Sequence, residues 1–316
     1  MSSNDVLVNT DAKVAFSGVI CAVGLVGNFL VMFVVLVLRE FRKSVTHWYV
    51  LQLAIADSLF LISLPFKMIE DINGYWMYPE WMCKGKETLL FLNYYTSVSF
   101  LMIMSIDRYI AVCHPFSDTL QRLRKPKSAI IITVTTWVAG LLICIPVMLY
   151  SFKVGIQPNC RCTDTFTDGT PESCHYHTRA YGFKVFNIFN FVVMFILPLA
   201  VMGACYGLII FRLTSGPLKD KSESRSGTNK SSKSEKDRRR VTIMCLCLVG
   251  CFFVCWLPFH AVHIAKIVGI SGQTDALCRI LPVVASLLAY SNSALNPYLY
   301  SFLGGNFAQR WKQNAL

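Results

Sequence analysis

Long apolar stretches alternate with short polar ones along this chain. Seven apolar runs stand out, at roughly 14–38, 48–69, 88–113, 128–150, 185–211, 241–268 and 277–303. Each holds about the ~20 residues that an α-helix needs to cross the hydrocarbon core of a bilayer. A helix on a soluble core keeps one polar face, whereas runs this long predict helices in contact with lipid. The expected fold class is an all-α membrane protein, a bundle of seven transmembrane helices in one domain spanning residues 1–316. Residues 1–13 are expected to form a short extracellular N-terminus, 151–180 the second extracellular loop and 214–240 the third intracellular loop. The Ser, Lys and Gly content of that intracellular loop cannot build a core, so disorder is expected at its centre, with Lys236-Asp237-Arg238-Arg239-Arg240 continuing the sixth helix. After Gly304 and Gly305, Phe307 and Trp311 sit about one helical turn apart beside Arg310 and Lys312. This predicts a short amphipathic eighth helix over 304–316, lying on the inner membrane surface.

Composition supports the same class: 54% of residues are hydrophobic and 15% charged, too little charge for the surface of a soluble protein of this size. The formal charge of +12 raises the question of nucleic acid, and its distribution answers it. Arg39, Arg42, Lys43, Arg122, Arg124, Lys125, Lys127, the run from Lys219 to Arg240, Arg310 and Lys312 all fall on one side of the bundle. That bias sets topology, with the N-terminus outside, and leaves no argument for a nucleic-acid partner. No cleavable signal is visible in the polar first segment, so the first helix is expected to direct insertion itself. Of 13 cysteines, Cys83, Cys160, Cys162, Cys174 and Cys278 fall on the oxidising outer side, and their odd number leaves at least one outside any pairing among them.

An ionisable side chain at the centre of a membrane helix costs roughly 2.5–3.5 kcal/mol, so each one needs a reason. Asp57 sits mid-helix, with Asn28, Asn93, Ser97, Asn292, Ser293 and Asn296 as polar candidates in the first, third and seventh helices. No basic partner is expected within those helices, so a small cation such as Na⁺ or a proton is the natural companion; polar contact between helices is the alternative. Asp107 and Arg108, in "SIDRYIAVCHP", are flanked by apolar residues on both sides. Pro65, Pro146, Pro198, Pro258 and Pro297 each remove a helix hydrogen bond, and Trp256 lies just before Pro258, as a lever at a kink or as core packing.

These features together resemble the rhodopsin-like (class A) family of G-protein-coupled receptors. The motifs fall in family order: Gly27-Asn28, "LAIAD" ending at Asp57, Asp107-Arg108-Tyr109, Trp137, Pro198 with Tyr206, "CWLP" at 255–258 and "NPYLY" at 296–300. "SLPF", "WMYPEWMC" and "SNSALNPYLYSFLGGNF" are similar to the peptide-receptor branch of somatostatin, opioid, galanin and kisspeptin receptors. The resemblance implies a disulfide between Cys83 and Cys162, and a sodium pocket of Asp57, Asn93, Ser97, Asn292 and Ser293. It also implies that Asp107 restrains Arg108 at rest and that Arg108 is released to meet a heterotrimeric G protein, with Gi/o favoured. Tyr109, Phe116, Tyr206, Thr242, Trp256, Asn296, Pro297 and Tyr300 complete the implied switch. Arg238 stands where some relatives carry a glutamate, so a full ionic lock is not expected. Arrestin is a further implied partner, membrane lipids a constant one, and the plasma membrane the implied location.

Departures from the family narrow the ligand. Amine, opioid and somatostatin receptors carry an aspartate where this chain has Leu90, and no lysine for a retinal Schiff base lies between Asp275 and Gly305. What remains is a mouth of Lys67, Glu70, Asp71, Glu87, Lys184, Tyr94, Phe259, His260, His263 and Tyr290, mixed in charge and aromatic, which suits an extracellular peptide ligand. His260 and His263, with no further ligands, make no case for zinc. A non-signalling scavenger or a receptor for a small non-peptide ligand are the alternatives. A membrane enzyme would need paired catalytic groups at one depth, and none is found; no cofactor is expected beyond Na⁺ as an allosteric ion.

Overall fold

Seven helical rods follow the seven apolar runs, and most extend beyond them. They are α1 (Thr10–Val37), α2 (Val45–Asn73), α3 (Glu80–Cys113), α4 (Pro126–Ile143, resumed after Cys144 as Ile145–Tyr150), α5, α6 (Asn229–Val268) and α7 (Leu281–Leu303). α5 runs Ala180–Phe191, passes through a π-helical turn at Val192–Ile196, and continues as Leu197–Ser215. This computed structural model describes residues 10–37, 39, 44–155, 172–176, 180–215, 229–268 and 280–303. The expectations for the N-terminus before Thr10, the centre of 214–240, Cys162 and the eighth helix fall outside the described residues.

The extra length comes from polar ends that hydropathy alone does not register. α3 starts at Glu80, where Glu80 and Lys84 pair at 3.1 Å one helical turn apart. The Ser44 hydroxyl accepts the Thr46 N–H at 3.2 Å and caps α2. At the other end of α2, Gly74 turns left-handed at φ 75 and its N–H bonds the Glu70 carbonyl at 2.9 Å, a conformation that glycine tolerates best. Six of the rods are long and apolar enough to cross a membrane. α7 completes the seven, and it is the one diluted by Ser286, Ser291, Asn292, Ser293 and Asn296.

α3 is the hub. It packs against α2, α4, α5 and α6, and it is buried from Cys83 to Ala111 on its inner faces. α1 lies against α2 and α7, and α6 against α7. α4 is peripheral, burying only Ala129, Thr133 and Gly140 along Pro126–Ile143 and turning Ile131, Val134 and Leu142 outward. Val19, Phe29, Leu36, Phe211 and Val254 likewise face outward, an apolar exterior of the kind that suits lipid rather than water. One feature departs from a purely helical expectation: β1 (Ser151–Gly155) and β2 (Glu172–Tyr176) form an antiparallel hairpin with Ser151 opposite Tyr176. Ser-Phe-Lys-Val in β1 alternates polar and apolar at the strand period, a signal too short to weigh in a loop. The hairpin packs against α3 and marks one end of the bundle; Asp107 and Arg108 mark the other.

α1 reaches α2 and α7 closely because Gly24 has no side chain. A Cβ there would stand 2.6 Å from the Leu61 side chain and 2.9 Å from Ala294 Cβ. Gly24→Ala is therefore expected to lower stability by about 1–3 kcal/mol through overpacking. Gly203→Ala, with nothing within 4 Å of the added carbon, is expected to be neutral or stabilising by up to about 1 kcal/mol. Thermal unfolding of the detergent-solubilised variants, followed by a thiol-reactive dye, checks the pair.

Candidate functional sites along the bundle axis

At the end opposite the hairpin, the cost of burying Asp107 and Arg108 is met by a closed network. Arg108 Nε donates to Asp107 Oδ2 at 3.1 Å, and its Nη2 contacts both that oxygen and Thr46 Oγ1. Thr46 Oγ1 in turn donates to Asp107 Oδ2 at 3.1 Å. The other carboxylate oxygen receives Arg124 Nε at 2.7 Å, from the connection between α3 and α4. One carboxylate thus holds two guanidiniums, and the pair is desolvated without being left unpaired. Tyr109 bonds His114 across 3.0 Å, and Ser105 donates to Tyr206 at 3.3 Å. Thr242 is half-buried at the foot of α6, and Phe116 projects from the α3–α4 connection at 97% exposure. The Tyr300 side chain lies outside the described residues.

At mid-bundle, Asp57 is fully buried. Asn93 donates to its Oδ1 at 3.0 Å and Asn296 to its Oδ2 at 2.8 Å, while Ser293 donates to Asn93 Oδ1 at 3.4 Å. The expectation that α2 and α3 lack basic residues is corrected: Lys67, Lys84, Lys86 and Arg108 all lie in them. Each is held near a helix end by other carboxylates, so Asp57 keeps amides as its partners. On α3, α6 and α7, the buried Ser97 Oγ, Trp256 Nε1 and both side-chain polar atoms of Asn292 have no protein partner. A carboxylate, two hydroxyls and amide oxygens form an all-oxygen donor set that fits a small hard cation and its waters.

Between this level and the hairpin lies an aromatic box. The Tyr94 ring stands 4.3 Å from Trp256 and stacks on Phe252 at 5.9 Å. Tyr94 Oη is 2.9 Å from the Met194 carbonyl and 2.9 Å from His260 Nε2. His260 is enclosed by Phe191, Phe195 and Phe259, and His263 Nδ1 lies 2.8 Å from the Phe259 carbonyl. Tyr290 stacks on Phe60 at 4.5 Å, and Leu90 packs beside them.

Nearest the hairpin, six charges from three helices alternate in sign. Lys13 of α1 pairs with Asp71 at 2.8 Å; Lys67 pairs with Asp71 at 3.3 Å and with Glu70 at 2.8 Å. Lys86 pairs with Glu70 at 3.6 Å and with Glu87 at 2.9 Å, and its ammonium stands 5.2 Å over the Trp76 ring. Below Trp76, Cys83 is fully buried and disulfide-bonded; Cys162, its implied partner, is outside the described residues.

The family model of the rhodopsin-family 7-transmembrane receptors matches residues 27–300. The chain belongs to the rhodopsin family of seven-transmembrane receptors. Among its relatives, somatostatin receptor type 2 from Mus musculus is 36% identical over 299 residues, covering 94% of this chain and 75% of the relative. Somatostatin receptor type 2 from Sus scrofa matches to the same extent.

In this receptor, the sequence pattern brought out Asp107, Glu70, Asp71 and Glu87 but not their partners Thr46, Arg124, Lys13 and Lys86. Each of the four makes a contact from another helix or a connection, and spacing along one element carries no information about such contacts. A signal did exist for the proline-bearing helices. A proline cannot donate to the carbonyl four residues earlier, and that carbonyl needs another donor. Pro297 releases the Ser293 carbonyl, and Asn28 of α1 donates to it at 3.0 Å. Asn28→Ala is expected to strand that buried acceptor at a cost of about 1–3 kcal/mol. The melting temperature of the ligand-free receptor checks this; an unchanged value counts against the bond.

Proposed function

We propose that this protein is a plasma-membrane receptor for an extracellular peptide, with its N-terminus outside, that activates heterotrimeric G proteins, Gi/o in particular. The observation that carries the proposal is the Asp107–Arg108 network. A guanidinium is held at the membrane boundary by a carboxylate whose other oxygen is already neutralised by Arg124. Arg108 can leave without stranding an uncompensated buried charge, so the two arrangements lie close in energy and a ligand can choose between them. Family membership supports the G protein as the partner that meets Arg108, with the exposed Phe116 beside it. Outward movement of α6 would open that face. The somatostatin-receptor relatives support a peptide ligand, as does the charged, aromatic end near the hairpin.

Leu90 removes the carboxylate that would anchor an ammonium deep in the bundle, so the charged groups of the ligand are met higher, at Lys67, Glu70, Glu87 and Lys86. Nucleotide exchange on a panel of purified G proteins, in membranes holding the receptor and challenged with neuropeptides, tests the reading. A peptide-dependent signal that is lost in Arg108→Ala is expected. Peptide binding with no exchange on any G protein would point to a scavenger and overturn the assignment.

The same reading places Na⁺ against Asp57, with Asn93, Ser97, Asn292 and Ser293, as an inhibitory ion that favours the resting state. Raising NaCl to about 0.15 M is expected to lower ligand-independent exchange more than KCl at equal ionic strength, and Asp57→Asn to abolish the difference. Equal effects of the two salts on the unaltered receptor would remove the ion.

A further inference from the structure

We infer that Tyr94, His260 and the Met194 carbonyl form a latch between α3, α5 and α6 that holds α6 in its resting position; Tyr94 and His260 act as positioning residues for receptor activation. The inference rests on the receptor reading above and adds an element to it.

The latch starts from a defect in α5. Pro198 has no N–H, so the carbonyl of Met194, four residues earlier, loses its helical donor. The π-helical turn Val192–Ile196 surrounds this carbonyl, and the Leu197 N–H reaches past it to Val192. Tyr94 of α3 fills the gap by donating its hydroxyl to the Met194 carbonyl at 2.9 Å. A phenol has one hydrogen, and that hydrogen is now committed. His260 of α6, 2.9 Å from the same oxygen, therefore has to donate, which fixes its ring with the proton on Nε2. The three groups are thus ordered: imidazole N–H to phenol oxygen, phenol O–H to carbonyl. Tyr94 and His260 are 1% and 2% exposed, so water offers no substitute partner.

Packing alone does not ask for this arrangement. The surroundings are Phe191, Phe195, Phe252, Phe259 and Trp256, and phenylalanine at 94 and 260 would fill the same space. For the Tyr94–His260 bond taken by itself, replacing both ends by apolar groups of like shape is nearly neutral for stability, and only the Met194 carbonyl asks for the phenol. What the polar pair supplies is registry: its bond survives only while α6 keeps one rotation and height against α3. His260 lies two residues beyond Pro258, which weakens the α6 ladder, and Tyr94 touches Trp256 on the near side of that proline. A ligand that moves Tyr94 or turns the outer part of α6 breaks the bond and frees Trp256 in the same motion.

Two measurements on the full receptor in lipid nanodiscs test the latch. The first is ligand-independent nucleotide exchange on G protein. Tyr94→Phe and His260→Leu are each expected to raise it roughly five-fold, the effect of losing one ordinary hydrogen bond from the resting state only. The double variant rises no further than Tyr94→Phe alone, since that substitution already removes the bond that His260→Leu removes. His260→Gln, which keeps an N–H donor, rises less than His260→Leu. Trp48→Phe, which loses the comparable 2.9 Å bond from α2 to Thr133, does not raise it. In a receptor that exchanges nucleotide on a G protein, unchanged exchange in both single variants, or additive effects, overturns the latch.

The second is the distance between spin labels on ketone-bearing residues replacing Ile130 of α4 and Ile243 of α6, both exposed near the Asp107 end. Without ligand or G protein, Tyr94→Phe is expected to shift the distribution toward longer separations; an unchanged distribution overturns the latch. A longer separation with no exchange on any G protein leaves the latch standing and removes the signalling reading instead.

Discussion

The hydrocarbon core of a bilayer offers no water, so backbone carbonyls and charges there are driven to find partners within the protein. Much of this receptor's geometry follows from that constraint, and its prolines show how. Pro65, Pro198 and Pro297 each leave one carbonyl without a helical donor, and in each case a neighbouring helix supplies a side chain. Cys21 of α1 reaches the Leu61 carbonyl at 3.5 Å, Tyr94 of α3 that of Met194 at 2.9 Å, and Asn28 of α1 that of Ser293 at 3.0 Å. A residue that would merely weaken a soluble helix here creates an interhelical bond. Two of the donors join α1 to α2 and α7, where Gly24 and Gly27 let the backbones close in.

Charge is distributed by the same rule. Ions are kept to the two ends, where they pair with one another: Lys13, Lys67 and Lys86 with Glu70, Asp71 and Glu87 near the hairpin, and Asp107 with Arg108 and Arg124 at the far end. Among the described residues, mid-bundle holds a single carboxylate, Asp57, among amides and hydroxyls. The two end networks differ in consequence. The first ties α1, α2 and α3 together with matched charges. The second gives one carboxylate two cations, an excess that lets one cation leave. An even match resists rearrangement, and an uneven one invites it.

The spans were legible because membrane thickness imposes a length on apolar runs, and the intramembrane acids and amides were legible because they are costly where they stand. The polar extensions were not: the start of α3 at Glu80 and the cap at Ser44 depend on local ion pairs and hydrogen bonds that a hydropathy pattern averages away. Arg124 could be read as a topology charge but not as the second partner of Asp107, because the α3–α4 connection has to fold back before the two meet. Tyr94 and His260 were both legible as residues facing the mouth. Their bond to each other was not, since α3 and α6 are distant in sequence; the clue lay in a third place, the carbonyl that Pro198 sets free.

α3 touches all these features in turn: Lys86 and Glu87 near the hairpin, Asn93 and Tyr94 at mid-bundle, Asp107 and Arg108 at the far end. It is buried along most of this path, so it is poorly placed to move and well placed to serve as a reference for helices that do. The bonds it makes to α2 involve charges or a buried carboxylate, which are expensive to break. Its bond to α6 through His260 joins two neutral groups, whose net worth is roughly a kcal/mol. The asymmetry follows from the chemistry of the partners: with α3 as the fixed member, α6 is held by the kind of contact that a bound ligand can afford to replace.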